Sequence, residues 1–221
     1  MSNYFITATD TDAGKTYVAC ALTRALVKKS YKVAVYKPIS AGCEIEEGIL
    51  VNEDAKLLSL EANCGQSTLN INPIAFKEPI APHIAADKTK KPITLEHIIE
   101  GFNEVLSINA DINIVEGAGG WRLPLGGGRY LSEFVIQAKL EVILVVNMKL
   151  GCLNHAILTY ETIINDDLNC VAWVANCPTE MPYLTENIHE LKKLLPIPQL
   201  GTLSCSKNLN NAANELNLSL L

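Results

Sequence analysis

Nine residues near the amino end, Ala8-Thr9-Asp10-Thr11-Asp12-Ala13-Gly14-Lys15-Thr16, combine the groups that grip a polyphosphate. Lys15 is long enough to reach terminal phosphate oxygens, Thr16 can offer a hydroxyl to Mg²⁺, and Gly14 lets the backbone approach closely. The pattern lies between a β-rich run, Tyr4–Thr7, and a helical one that begins near Lys15. The first amides of a helix have no internal partner and its dipole is positive there, so anions gather at such a start. Thr9 stands where the usual phosphate-binding loop has its first glycine, which makes this a variant loop.

Glu116 closes the apolar run Ile112–Val115 in the manner of a Walker-B acid. Mg²⁺ takes one or two carboxylates plus phosphate oxygens, so Glu116 and Thr16 are candidates to share one ion. Asp54 opens a helical pattern and suits either a place in that ion's shell or an N-terminal dipole role. Lys37 ends a strand and is pinned by Pro38. It reads either as a snorkelling lysine or as a second cation facing a transferred phosphoryl group. Asn154, just after Gly151-Cys152-Leu153, is a candidate helix N-cap beside amides able to hold a carboxylate. His83, His97, His155 and His189 show no metal-ligand spacing.

The elements that must position these residues alternate regularly. Apolar runs at Lys32–Tyr36, Ile112–Val115, Val142–Val146 and Val171–Val174 suit strands covered on both faces. Helical patterns run over Lys15–Ser30, Glu53–Ala62, Thr94–Leu106, Leu131–Lys139, Asn154–Ile164 and Tyr183–Leu195. This alternation predicts an α/β fold: a doubly wound, mostly parallel sheet with helices on both faces, in a single domain spanning 1–221. Ligands of such sheets gather beyond the carboxyl ends of the strands, and Thr11–Thr16, Lys37, Ser40 and Glu116 all fall there. The glycine clusters Gly117–Gly120 and Gly126–Gly128 read as loops, the first placed for close approach of a ligand.

Composition bounds the rest. A chain of 221 residues with 48% hydrophobic and 19% charged residues has ample material for a core. Its net charge of −6 disfavours nucleic acid as a partner but leaves room for a locally basic phosphate pocket. The seven dispersed cysteines include no C-x-x-C pair and fit free thiols in a reducing cytoplasm. The amino end does not resemble a secretory signal, and no apolar run is long enough to span a membrane.

With these residues in hand, the chain resembles the dethiobiotin synthetases. The likeness is carried by Thr9-Asp10-Thr11-Asp12 with Gly14-Lys15-Thr16, Tyr36-Lys37-Pro38, Glu78-Pro79 with Pro82-His83, and Val115–Trp121. It continues through Lys149–Cys152 with Asn154-His155-Ala156, and Trp173–Asn176. It implies a P-loop NTPase-like ligase, dependent on ATP and Mg²⁺, that joins CO₂ to 7,8-diaminononanoate through a carbamate and a carbamic-phosphoric anhydride. It also implies a homodimer. By the same likeness Lys15, Lys37 and Thr11 carry the chemistry, and Thr16, Asp54 and Glu116 hold the metal. Nucleotide contacts are expected at Asp12, Ala13, Gly14, Lys15, Thr16, Tyr17, Gly117, Ala118, Gly119, Asn176 and Cys177. The substrate is expected at Lys37, Ser40, Ala41 and, from the partner subunit's helix start, Gly151, Cys152, Leu153 and Asn154.

Two positions depart from that family's pattern: Ala41 stands where a serine is common, and Thr202-Leu203-Ser204-Cys205 replaces a proline-containing base-recognition loop. Two rivals keep the fold but change the task. A partitioning-type nucleotide switch calls for a second lysine in the loop and a basic or amphipathic surface. Another amide-forming synthetase would lack the Glu78–His83 and Lys149–His155 signatures.

Overall fold

The computed structural model describes residues 1–204 and 208–221. Among these, six strands form one fully parallel sheet: β1 (Ser2–Ala8), β2 (Val33–Tyr36), β3 (Ile112–Glu116), β4 (Glu141–Asn147), β5 (Cys170–Asn176) and β6 (Gln199–Leu203). Their spatial order is β6-β5-β4-β1-β3-β2. The expected strands are all present, and β6 is an addition. Its run, Gln199-Leu200-Gly201-Thr202-Leu203, has too few apolar residues in sequence to announce a strand. Residues Thr202 and Leu203 of the expected base-recognition segment therefore lie in β6, while Cys205 lies outside the described residues.

The near-continuous apolar runs are explained by a core on each face of the sheet. Along β4, Val142, Leu144 and Val146 face one cluster while Ile143 and Val145 face the other. The helices α1 (Lys15–Lys28), α2 (Glu53–Glu61), α3 (Thr68–Ile71) and α9 (Leu209–Asn214) cover the second face. The first is covered by α4 (Pro82–Thr89), α5 (Leu95–Ser107), α6 (Ser132–Gln137), α7 (Cys152–Asn165) and α8 (Leu184–Leu194). Each fully buried side chain such as Trp173, Phe134 or Leu22 contributes roughly 1.5–3 kcal/mol relative to exposure. Among the described residues, no helix is long and apolar enough to cross a membrane.

One expectation needs correction and another gains detail. Asn154 does not cap α7: the cap is Gly151, at φ +92°, and Asn154 is the third helical residue. A glycine tolerates that left-handed backbone, so the helix begins three residues earlier than an asparagine cap would place it. The expected loop at Gly126–Gly128 is the tip of a small antiparallel ribbon, Pro124–Gly126 with Arg129–Tyr130, in which Gly127 and Gly128 form the turn.

Candidate active site

The turn between β1 and α1 sets the site. Gly14 caps α1 at φ +84°, and a Cβ there would overlap the side-chain nitrogen of Asn176. Asn176, at the carboxyl end of β5, in turn donates to the carbonyl of Ala13 at 2.8 Å. The glycine is thus required twice, for its backbone angle and for the room it leaves. No side chain caps α1 by a hydrogen bond, so its leading amides face the cleft with their partial positive charge intact.

Lys15 is buried, and its ammonium donates to the carbonyls of Asp10 at 3.3 Å and Gly119 at 2.6 Å. Burial lowers its pKa, Glu116 works against that shift, and neighbouring Lys37 adds to it. The ammonium therefore sits where an anion would relieve two stresses, lost solvation and the repulsion of a second cation.

Lys37 directly follows β2, with 3% of its surface exposed. Its ammonium reaches Oε1 of Glu116 at 2.8 Å and Oδ2 of Asp54 at 3.1 Å. Burial is the largest influence on it and opposes the charge, yet the two carboxylates outweigh burial and its pKa is raised. This rules against one of the two sequence readings: Lys37 is an interior ammonium held by two acids, and its stem does not snorkel to the surface. Its backbone is pinned by Asn72, whose amide donates to the carbonyl of Lys37 at 2.7 Å. Asn72 also accepts from the hydroxyl of Ser40 at 2.6 Å. Nothing in the sequence around Asn72 signalled this role, because its partners lie about 35 residues away.

Glu116 is 1% exposed at the end of β3. Its Oε1 accepts from Thr16 Oγ1 at 2.8 Å and from Lys37, whereas its buried Oε2 has no partner. A buried carboxylate oxygen without a donor is costly unless a cation or water meets it. Asp54 lies in the first turn of α2, behind the cap Asn52, where the dipole favours an acid, and its carboxylate also meets Lys37. Helix α2 is held against α1 by a two-pronged pair from Arg24 to Glu61, at 2.6 and 2.7 Å, which sets Asp54 opposite Lys37. Among the described residues no trio of His, Cys, Asp or Glu forms a metal cluster. The pair Glu116 and Asp54, with the Thr16 hydroxyl and the open Oε2, is nevertheless a donor set that fits Mg²⁺, which prefers few protein ligands together with phosphate oxygens.

These groups line one cleft of about 870 Å³, which Thr11, Asp12, Ser40, Ala41, Ala118 and Gly119 also border. Its far wall is Pro79–Pro82, the turn into α4. The structure therefore brings together Thr11, Asp12, Gly14, Lys15, Thr16, Lys37, Asp54 and Glu116, with Ser40 and Ala41 at the other end. Ala13 is buried beneath the loop, Tyr17 is half-buried on α1, and Gly117 packs so close to Phe5 that a Cβ would come within 2.8 Å of its ring. Asn176 ends β5 and reaches the site through its bond to Ala13, and buried Cys177 follows it. Gly151, Cys152, Leu153 and Asn154 are not among the residues bordering this cleft. Burial raises the thiol of Cys152, and it pushes that of Cys170 up to about 12. Thiols so placed are inert.

A family profile described as an AAA domain matches residues 2–213. The chain is 49% identical over 212 residues to "ATP-dependent dethiobiotin synthetase BioD" of Alteromonas mediterranea, covering 91% of each chain. It is 45% identical to the protein of that name in Aeromonas salmonicida, covering 94% of this chain and 92% of the relative. With the Pseudomonas aeruginosa protein it shares 39% over 221 residues, covering 100% and 97%. Among solved structures, the Aquifex aeolicus MinC:MinD cell division complex superimposes with a TM-score of 0.59 at 15% identity, over 97% of this chain and 86% of that one. A ParA family ATPase from Chlorobium tepidum gives 0.57 at 13%, over 97% and 88%. At such identities the likeness to these two is one of fold.

Proposed function

This chain belongs to the family of ATP-dependent dethiobiotin synthetases, and from that premise we propose how its cleft carries out the ligation. The enzyme is an ATP-dependent ligase of biotin synthesis. One amine of 7,8-diaminononanoate adds to CO₂ to give a carbamate. A carbamate oxygen attacks the γ-phosphorus of ATP, and ADP leaves. The second amine then attacks the carbamoyl carbon of the mixed anhydride, expelling phosphate and closing the ureido ring.

The triphosphate lies over the start of α1, where the amides from Gly14 onward and the Lys15 ammonium receive it. Asn176 holds the loop in shape from beneath, and Asp12, Ala13, Tyr17, Gly117, Ala118, Gly119 and Cys177 complete the nucleotide contacts. Lys37 faces the reacting oxygens, where negative charge spreads as the phosphoryl group moves. Thr11, on the cleft wall, positions the carbamate, and Ser40 and Ala41 border the amines. Thr16, Asp54 and Glu116 are the residues that hold Mg²⁺; when bound, the ion neutralises phosphate oxygens and fixes their direction. The observation that carries this reading is the meeting of Lys15, Lys37 and Glu116 in one cleft at the carboxyl ends of β1, β2 and β3.

The protein acts as a homodimer in the cytoplasm. Support for the dimer comes from α7 and the turn before it, where Leu150 is 97% exposed and Leu158 and Ile164 are also exposed. A partner docked there brings its Gly151–Asn154 helix start toward the carboxylate tail of the substrate, which that segment does not reach within one protomer. Incubation with diaminononanoate, bicarbonate, Mg²⁺ and ATP tests the assignment. Phosphate release that depends on both diamine and bicarbonate supports it, and hydrolysis indifferent to the diamine overturns it.

A further inference from the structure

Lys15 is held by two backbone carbonyls, those of Asp10 and Gly119, and neither belongs to a helix or strand. Something beyond the loops themselves must fix these acceptors. For Gly119 the anchor lies two and three residues further on. Trp121 is buried, stacks edge-to-face on Phe5 of β1 at 6.0 Å, and donates its indole N–H to Asp166 Oδ2 at 2.8 Å. Arg122 donates to Asp166 Oδ1 at 2.7 Å and to Ser132 Oγ at 2.9 Å. One carboxylate thus uses both oxygens on consecutive residues of the loop that carries Gly119.

Asp166 is the residue that closes α7, and its side chain is 12% exposed. An aspartate at the negative end of a helix dipole is locally unfavourable, so α7 alone gives no reason for it. Its two contacts on the loop do. The other acceptor, Asp10, is tied to the opposite end of the same helix, for its carboxylate meets Lys149 at 2.9 Å just before Gly151. That pair is about half exposed and contributes little, whereas Asp166 is itself largely covered: the bond it accepts from the buried Trp121 indole is sheltered, and the charge-assisted one from Arg122 lies nearer the surface.

We propose that Asp166 is a positioning residue for Lys15, acting through Trp121 and Arg122 on the loop whose Gly119 carbonyl receives the ammonium. The inference rests on Lys15 binding the terminal phosphates of ATP. Helix α7 is then a strut whose far end sets the phosphate-binding lysine, and a small displacement of such a group is enough to slow turnover about 10²-fold.

The experiment compares Asp166→Ala, Asp166→Asn and Trp121→Phe with the unmodified protein, measuring ATP and AMP affinity by calorimetry and phosphate release under saturating substrates. AMP lacks the phosphates that Lys15 serves. Asp166→Ala is expected to lower ATP affinity about tenfold with AMP affinity unchanged, and to reduce kcat about 10²-fold while the KM for diamine holds. Asp166→Asn, which keeps an acceptor for the indole, and Trp121→Phe, which keeps the ring, should each give part of that loss. A protein that melts earlier but keeps its ATP-to-AMP preference and kcat below its melting point would show that Asp166 merely closes the helix. If Asp166→Ala does not fold, the other two variants decide, and wild-type behaviour in both overturns the proposal. The affinity ratio judges the strut even if diamine-dependent turnover fails in the unmodified protein, an outcome that would count against the ligase reading instead.

Discussion

The ammonium of Lys37 lies 2.8 Å from Oε1 of Glu116, with both side chains almost wholly buried. Asp54 meets the same ammonium at 3.1 Å. The cation proposed for the reaction therefore rests on the two carboxylates proposed for Mg²⁺. Lysine and metal would draw on one set of oxygens, and the consequences are measurable from both sides.

Replacing Lys37 by Gln should leave nucleotide affinity within a few-fold and lower kcat by at least ~10²-fold, the scale of losing one donor aimed at the transition state. Steady-state kinetics beside calorimetric ATP binding separates the two. Equal losses in affinity and turnover would mean that Lys37 serves ground-state binding.

The same site makes a second prediction for nucleotide-free protein. Lys37→Met leaves Glu116 buried without its ion pair, which costs about 3–5 kcal/mol of stability. It also removes a cation that competes for the carboxylates. Mn²⁺ titration followed by electron paramagnetic resonance should show binding at least about tenfold tighter than in the unmodified protein, a change of about 1.4 kcal/mol. Unchanged or weaker Mn²⁺ binding would place the metal elsewhere.

Glu116→Gln keeps the shape of the side chain and an acceptor for Thr16 but removes the charge. The Mg²⁺ concentration giving half-maximal activity should rise about tenfold or more. An unaltered metal titration takes Glu116 out of the metal shell.

Gly14→Ala forces a Cβ onto the Asn176 nitrogen at a backbone angle of φ +84°. Strain of about 1–3 kcal/mol is expected, seen as a lower melting temperature. Because Asn176 holds the Ala13 carbonyl, ATP affinity should fall as well. A variant that melts like the parent and binds ATP normally would show that the loop re-forms around the methyl group.

Leu158→Asp places a charge on the exposed apolar side of α7. Analytical ultracentrifugation should then find the proposed dimer in the parent and monomer in the variant. The diamine KM should rise while ATP affinity holds, since the proposed dimer draws only the carboxylate contact from the partner. A variant that remains dimeric moves the interface to another face.

Local chemistry and periodicity already determined much from the amino-acid order. The small-residue loop, Gly14-Lys15-Thr16 and the acid closing an apolar strand are patterns whose physics works over a few residues, and strands buried on both faces read as unbroken apolar runs. The family followed from ordered motifs spread along the chain, including Lys149–Ala156 and Val115–Trp121. What only the tertiary structure decided are relationships between distant segments. The two acids meeting Lys37 come from points 17 and 79 residues along the chain, by subtraction from 54 and 116. Asn72 pinning Lys37 and Asp166 gripping Trp121 have no local pattern to announce them, because each partner comes from a segment tens of residues away along the chain. The strand β6 was hidden for the same reason: its short mixed run is held in place by β5 beside it, not by its own periodicity. Sequence names the groups able to do chemistry, and packing chooses which of them share an oxygen.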